Sequence, residues 1–139
     1  MKTLKTLIRL HKKQIDDLVK EIGLLEEQKK RFVQTLEDLK KQVVIEIKHY
    51  AGSEYVFMLD NYLKSAEKNR KRLIIEIAQA EKNLESLRDI LREQFGELKK
   101  FEIAMQKRQY QEKIRLLKEE SKLMDEFGIT KFNMDKNNQ

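Results

Sequence analysis

Ala51-Gly52-Ser53-Glu54 interrupts an otherwise continuous heptad pattern, and the fold follows from what stands on either side of it. Gly52 can take a positive φ and end a helix, and Ser53 can cap the next one. Upstream, the series Leu4, Ile8, His11, Ile15, Leu18, Ile22, Leu25, Lys29, Phe32, Leu36, Leu39, Val43, Glu46, Tyr50 alternates steps of four and three. Eleven of its 14 positions are apolar, which is the mark of a coiled-coil helix. Downstream, Leu59, Leu63, Ala66, Arg70, Leu73, Ile77, Ala80, Leu84, Leu87, Leu91, Gln94, Leu98, Phe101, Met105 keeps the same spacing, with 12 of 14 apolar. A turn this short folds the two helices back on each other. The pattern therefore predicts an all-α chain, a long antiparallel two-helix coiled-coil hairpin with the second helix longer than the first. Helix 1 is expected over about residues 3–50, the turn over 51–54 and helix 2 over about 55–127. Residues 1–128 are read as one hairpin and 129–139 as a flexible tail that begins after Gly128.

With a turn centred near residue 52 and equal rise on both helices, Leu4 lies opposite roughly residue 101, and the seam is ~75 Å long. Beyond Met105 the register would put Arg108, Glu112 and Arg115 in the seam. The apolar stripe resumes instead as Tyr110, Ile114, Leu117 and Met124, a change of heptad phase. Residues from about 104 to 127 are expected to overhang as a single helix, with an apolar stripe that nothing in the chain covers.

Composition agrees with long helices and narrows the function. Of 139 residues, 39% are charged and only 7% aromatic, with no Pro, no Cys and no Trp. Without Cys, disulfides and thiolate metal sites are excluded. No stretch approaches the ~20 apolar residues that cross a bilayer, and Met1–Lys13 has no apolar run of the kind a signal peptide carries. The net charge of +6 is unevenly spread. Residues 2–13 hold five basic groups and no acid; residues 99–122 hold eight basic and four acidic groups. Folding back brings these two segments to one end, giving a positive tip suited to an acidic ring or pocket.

Other chemistries find little support. The two His, His11 and His49, have no thiol partner, and the single Glu-x-x-His pair, Glu46 with His49, is too few for a di-metal bundle site. No Gly-rich phosphate loop occurs. Adjacent acids such as Asp16-Asp17 point to different helix directions, and a two-helix seam has no cavity to perturb a pKa. No catalytic residue, cofactor, metal or small-molecule substrate is expected. Basic runs such as Lys29-Lys30-Arg31 and Arg70-Lys71-Arg72 spread around a helix, without stacking aromatics or a basic-region-plus-zipper order, so nucleic acid is disfavoured as a partner. The narrow seam stripe suits another helix better than a membrane surface.

The second helix carries a further signal: Tyr55-Val56-Phe57-Met58-Leu59, then Leu63, Ala66 and Arg70, then Leu98-Lys99-Lys100-Phe101, Gln106-Lys107-Arg108-Gln109-Tyr110, and Lys122-Leu123-Met124-Asp125-Glu126. In this order the chain resembles the FliJ-like stalk proteins of bacterial flagellar type III export, relatives of the injectisome stalk proteins, over most of its length. The resemblance implies an antiparallel coiled coil like the rotor stalk of rotary ATPases. It implies protein partners: the hexameric export ATPase at the end carrying both termini, the cytoplasmic domain of the export gate at the hinge end, and export chaperones that the protein escorts. It implies a cytoplasmic protein, peripheral at the inner membrane through those partners. The positive tip would then be the ATPase-facing end, with its cations Lys5, Arg9, Lys12, Lys13, Lys107, Arg108, Lys113 and Arg115 as the expected contact. The gate contact falls on Val43, Tyr50, Leu59, Leu63, Ala66 and Arg70. The chain departs from the family pattern at Glu46 and Leu59, where the family prefers aromatics, and at Arg70. Outside export, the same residues would suit a coiled-coil adaptor or scaffold, or a basic nucleic-acid-associated protein.

Overall fold

A computed structural model of the chain describes residues 2–137, with side chains for all of these but 130, 132 and 135–137. Two helices account for it, α1 (Lys2–Tyr50) and α2 (Val56–Asn137), with the second the longer. The chain is an all-α helical hairpin.

The turn closes as its residues dictate. Gly52 has φ of 72°, the one positive φ among the described residues, and glycine reaches it without a Cβ penalty. The Ala51 N–H donates to the Ile47 carbonyl (3.0 Å), and the Ser53 N–H to the Tyr50 carbonyl (3.1 Å), so the end of α1 is satisfied locally. The Ser53 hydroxyl accepts from the Tyr55 N–H (3.2 Å), and the Met58 N–H donates to the Tyr55 carbonyl (2.9 Å), opening α2.

The chain divides into two compact units, one holding the residues up to Lys12 and those from Gly96, the other Lys13–Phe95. In this second, hinge unit, Lys29 Nζ meets Glu81 Oε2 at 2.6 Å and Arg88 reaches Glu26 at 3.3 Å, so the helices run antiparallel. Its core is one apolar row per helix. Ile15, Ile22, Ala66, Leu73, Ala80 and Leu84 are buried, and Leu84 is only 1% exposed. In the terminal unit, Leu4, Leu98 and Met105 are buried, and the rings of His11 and Phe101 lie 5.1 Å apart. Every position of the two heptad series, from Leu4 to Tyr50 and from Leu59 to Met105, is buried or half-buried. That follows from the 3.5-residue period, which keeps one stripe of each helix turned to its neighbour.

Two expectations change. Helix α2 does not stop at Gly128 but runs on through Asn137. Gly128 has no positive φ, so it remains an ordinary helical residue. Glycine costs a helix interior only about 1 kcal/mol relative to Ala, and no Pro follows to enforce a stop. The expected tail 129–139 is thus helical as far as it is described; Asn138 and Gln139 lie outside the described residues. The register also differs. His11 meets Phe101, so Leu4, seven residues earlier, falls opposite about residue 108 rather than residue 101. The non-helical residues are 51–55, which moves the turn centre from 52 to 53. Side chains leaning toward their own helix N-terminus carry each contact further along α2.

Candidate functional site

The hairpin presents two candidate docking surfaces, one in each unit. In the terminal unit, Lys5, Arg9 and Lys12 recur at steps of four and three on α1 and share one exposed face. Lys107, Arg108 and Lys113 are exposed on α2 past the last buried residue, Met105. None of these six forms an ion pair with another described residue, so their charge is open to a partner. Arg115 is different. Its guanidinium holds Glu112 through two bonds (3.1 and 2.5 Å) and Glu119 through a third (2.7 Å). The bond from Arg115 keeps the Glu112 carboxyl below its ordinary range and pushes the Arg115 guanidinium up. Lys13 belongs to the hinge unit.

Charge divides unevenly between the units. The terminal unit holds 14 basic and 8 acidic residues, and the hinge unit 16 and 16, so the whole net charge of +6 lies in the terminal unit. The excess at this end was expected from the sequence; the fold sets the boundary, near Lys12 and Gly96, at which the hinge unit balances.

Beyond Met105, no α2 side chain that the structure describes is buried. Tyr110, Leu116, Leu117, Leu123, Met124 and Phe127 are all more than half exposed. The stripe expected from Tyr110 to Met124 is therefore open, except for half-buried Ile114.

In the hinge unit, a groove of ≈ 420 Å³ is lined by Leu39, Lys40, Val43, Leu63, Ala66, Glu67 and Arg70. It gathers four of the six residues assigned to the gate contact: Val43, Leu63, Ala66 and Arg70. The groove exists because the seam is thin here, where Val43 and Ala66 supply little bulk. Arg70 is held on its own helix by Glu67, through bonds of 2.8 and 2.6 Å. That contact keeps the Glu67 carboxyl below its ordinary range and raises the Arg70 guanidinium. Tyr50 and Leu59 do not line the groove; both are half-buried near the turn, where the His49 and Tyr50 rings meet edge to face at 5.0 Å. Lys40 and Glu67, at the groove's rim, were not singled out by heptad spacing because they flank the seam rather than fill it. Farther from the turn, Lys29 occupies a seam position yet turns outward to Glu81, whose other oxygen takes Arg88 at 3.5 Å. This cluster holds the Glu81 carboxyl below its ordinary range, chiefly through Lys29.

No three acidic or His side chains come together among the described residues in a way that would hold a metal ion. Glu46 accepts instead from Gln42 at 2.8 Å. No described helix is long and apolar enough to cross a membrane.

These features are two candidate docking surfaces on a helical hairpin with its charge gathered in the terminal unit. The family model described as flagellar FliJ protein matches residues 1–137. The chain belongs to the flagellar FliJ protein family. No curated protein and no solved structure matches it. FliJ membership gives it a stalk role in flagellar protein export, in a family of structural and escort proteins rather than enzymes. Its partners are accordingly proteins of the export apparatus.

Proposed function

We propose that this chain is the non-enzymatic stalk that binds the hexameric export ATPase through its terminal unit and couples it to the export gate. Its hinge unit contacts the cytoplasmic domain of the gate, and the protein escorts export chaperones. It works in the cytoplasm, at the inner face of the inner membrane. The observation that carries this reading is the confinement of the entire net charge of +6 to the terminal unit. Cations without local partners, Lys5, Arg9, Lys12, Lys107, Arg108 and Lys113, favour an acidic surface, speed encounter and orient the docked protein. Arg115 contributes less, because two carboxylates already hold it.

Reversal of charge at Lys5, Arg9, Lys12 and Lys13 tests the proposal. The side chains are exposed, so the hairpin keeps its helicity. Affinity for the ATPase ring is expected to fall by at least about tenfold, mainly through a slower on-rate. Unchanged co-elution of the reversed protein with the ring would refute the assignment, and failure of the unaltered protein to bind any such ring would leave a coiled-coil adaptor as the better reading. The gate contact is tested separately at the groove. Exchange of Leu63 for Ser should weaken binding to the gate domain and leave the ATPase complex intact.

A further inference from the structure

The apex of the hinge unit carries a surface that neither the seam nor the groove explains. Val44, Ile45 and Ile47 on the last turns of α1, and Tyr55, Val56, Phe57 and Met58 at the start of α2, are all exposed, Phe57 by 66%. These residues do not form a stripe. Val44 and Ile45 are neighbours about 100° apart on α1, and Tyr55 to Met58 sweep most of a turn. With the half-buried Leu59, the first turn of α2 is apolar around its whole circumference, whereas the end of α1 keeps Glu46, Lys48 and His49 among its apolar residues. A helix that is apolar all round is one surrounded by apolar material, whereas a partner helix needs only one stripe.

The charges behind this apex have one sign in excess. Residues 38–72 hold eight basic and five acidic groups, although the hinge unit as a whole is balanced at 16 and 16. Of the five acids, Asp60 and Glu67 are paired with Lys64 and Arg70, Asp38 and Glu46 accept from Gln34 and Gln42 and keep their charge, and Glu54 lies exposed in the turn. Among the cations, Lys41, Lys48, Lys68 and Arg72 make no ion pair with a described residue and are exposed. Lys48 stands within one turn of the end of α1, and Lys41 within three turns. An apolar cap with two aromatic rings, backed by a collar of free cations, matches the layering of an anionic bilayer surface. Aromatics settle at the interface, aliphatic groups enter the acyl boundary, and Lys and Arg meet the headgroup phosphates.

We infer that the hinge apex is a membrane-interface contact, inserting Val56 and Phe57 with their apolar neighbours between anionic lipid headgroups. No helix of the chain lies along the membrane surface in this arrangement; only the tip of the hairpin enters. The contact would hold the hinge unit at the bilayer directly, in addition to any protein partner.

The chain has no Trp, so Phe57→Trp in the full-length protein gives a single indole reporter at the apex. Its emission is read with vesicles of phosphatidylcholine alone and with vesicles containing phosphatidylglycerol. A blue shift and quenching by brominated lipid are expected with the anionic vesicles only. In flotation of the full chain, Val56→Ser with Phe57→Ser should lower vesicle binding by at least about tenfold. Lys48→Glu, at the free cation nearest the apex, should lower it by roughly fivefold, an effect that fades at high salt. Far-UV circular dichroism checks that each variant keeps its helicity. Phe127→Ser, on the exposed far part of α2, should bind as the unaltered chain does. The inference is overturned if the indole emission of the Phe57→Trp protein stays solvent-like with anionic vesicles. It is equally overturned if the apex variants float undiminished, or if that emission shifts only on adding the export-gate domain, which would assign the apex to a protein socket.

Discussion

Leu84 and Leu117 stand on the same helix, both in apolar stripes, and their truncation separates the packing of the hairpin from the surface it offers. Leu84 is 1% exposed and is the single large side chain that the structure buries completely among the described residues; Leu117 is 54% exposed. Burial of a whole Leu side chain contributes about 1.5–3 kcal/mol by transfer alone. Leu84→Ala adds the cost of the void left behind, and Leu→Ala in closed cores reaches about 5 kcal/mol. A two-helix seam is open on its flanks, however. Leu84 itself borders a groove with Glu26, Lys29, Lys30, Val33 and Arg88. The vacated space joins that groove and fills with water instead of persisting as a dry cavity, so the loss should fall at the lower end, about 2–3 kcal/mol. Leu117→Ala should change stability by less than about 0.5 kcal/mol. Urea unfolding followed by far-UV circular dichroism measures both. A loss under about 1 kcal/mol for Leu84→Ala would refute the seam packing described above. A comparable loss at Leu117 would show that the far part of α2 is covered in solution, as in an oligomer.

Other consequences are as direct. Gly52→Ala meets no neighbouring atom within 4 Å but forces a side chain into φ of 72°, so it should cost about 1–2 kcal/mol of stability by thermal unfolding. Gly128→Ala, in an ordinary helical position, should instead raise helicity slightly, by about 1 kcal/mol of local stability. The Glu67, Glu81 and Glu112 carboxyls are all held below their ordinary range by Arg70, Lys29 and Arg115. Their stabilisation is thus complete above the unfolded Glu value and is lost as pH falls through the lower folded values. Helicity should hold steady from neutrality to about pH 5 and weaken below about pH 4, and Lys29→Met should remove the Glu81 share of that loss. Arg115→Gln should fray α2 around Glu112 and Glu119 in hydrogen exchange while changing ATPase affinity less than Lys107→Gln does.

The seam was legible because a heptad repeat is a local property: each step of three or four turns the next apolar residue to the same side of its own helix. Leu4 to Tyr50 and Leu59 to Met105 could be named without knowing what they face, as could the turn, because Gly52 alone accepts the positive φ there. The export family was legible from the order of residues along the second helix. What lay beyond the sequence was relative placement. A shift of a few residues between two helices leaves most of each apolar row facing the other, so the pairing of His11 with Phe101 needed the folded chain. Gly128 carried a stop signal that nothing nearby enforced, and α2 continues through it. The groove joining Val43, Leu63, Ala66 and Arg70 depends on side chains from both helices, as does the turning of Lys29 out of the seam to Glu81. Charge counted along the sequence already put the excess at the two ends that the hairpin joins, but only the division of the fold set the boundary at which the hinge unit balances, because docking depends on where the charges stand.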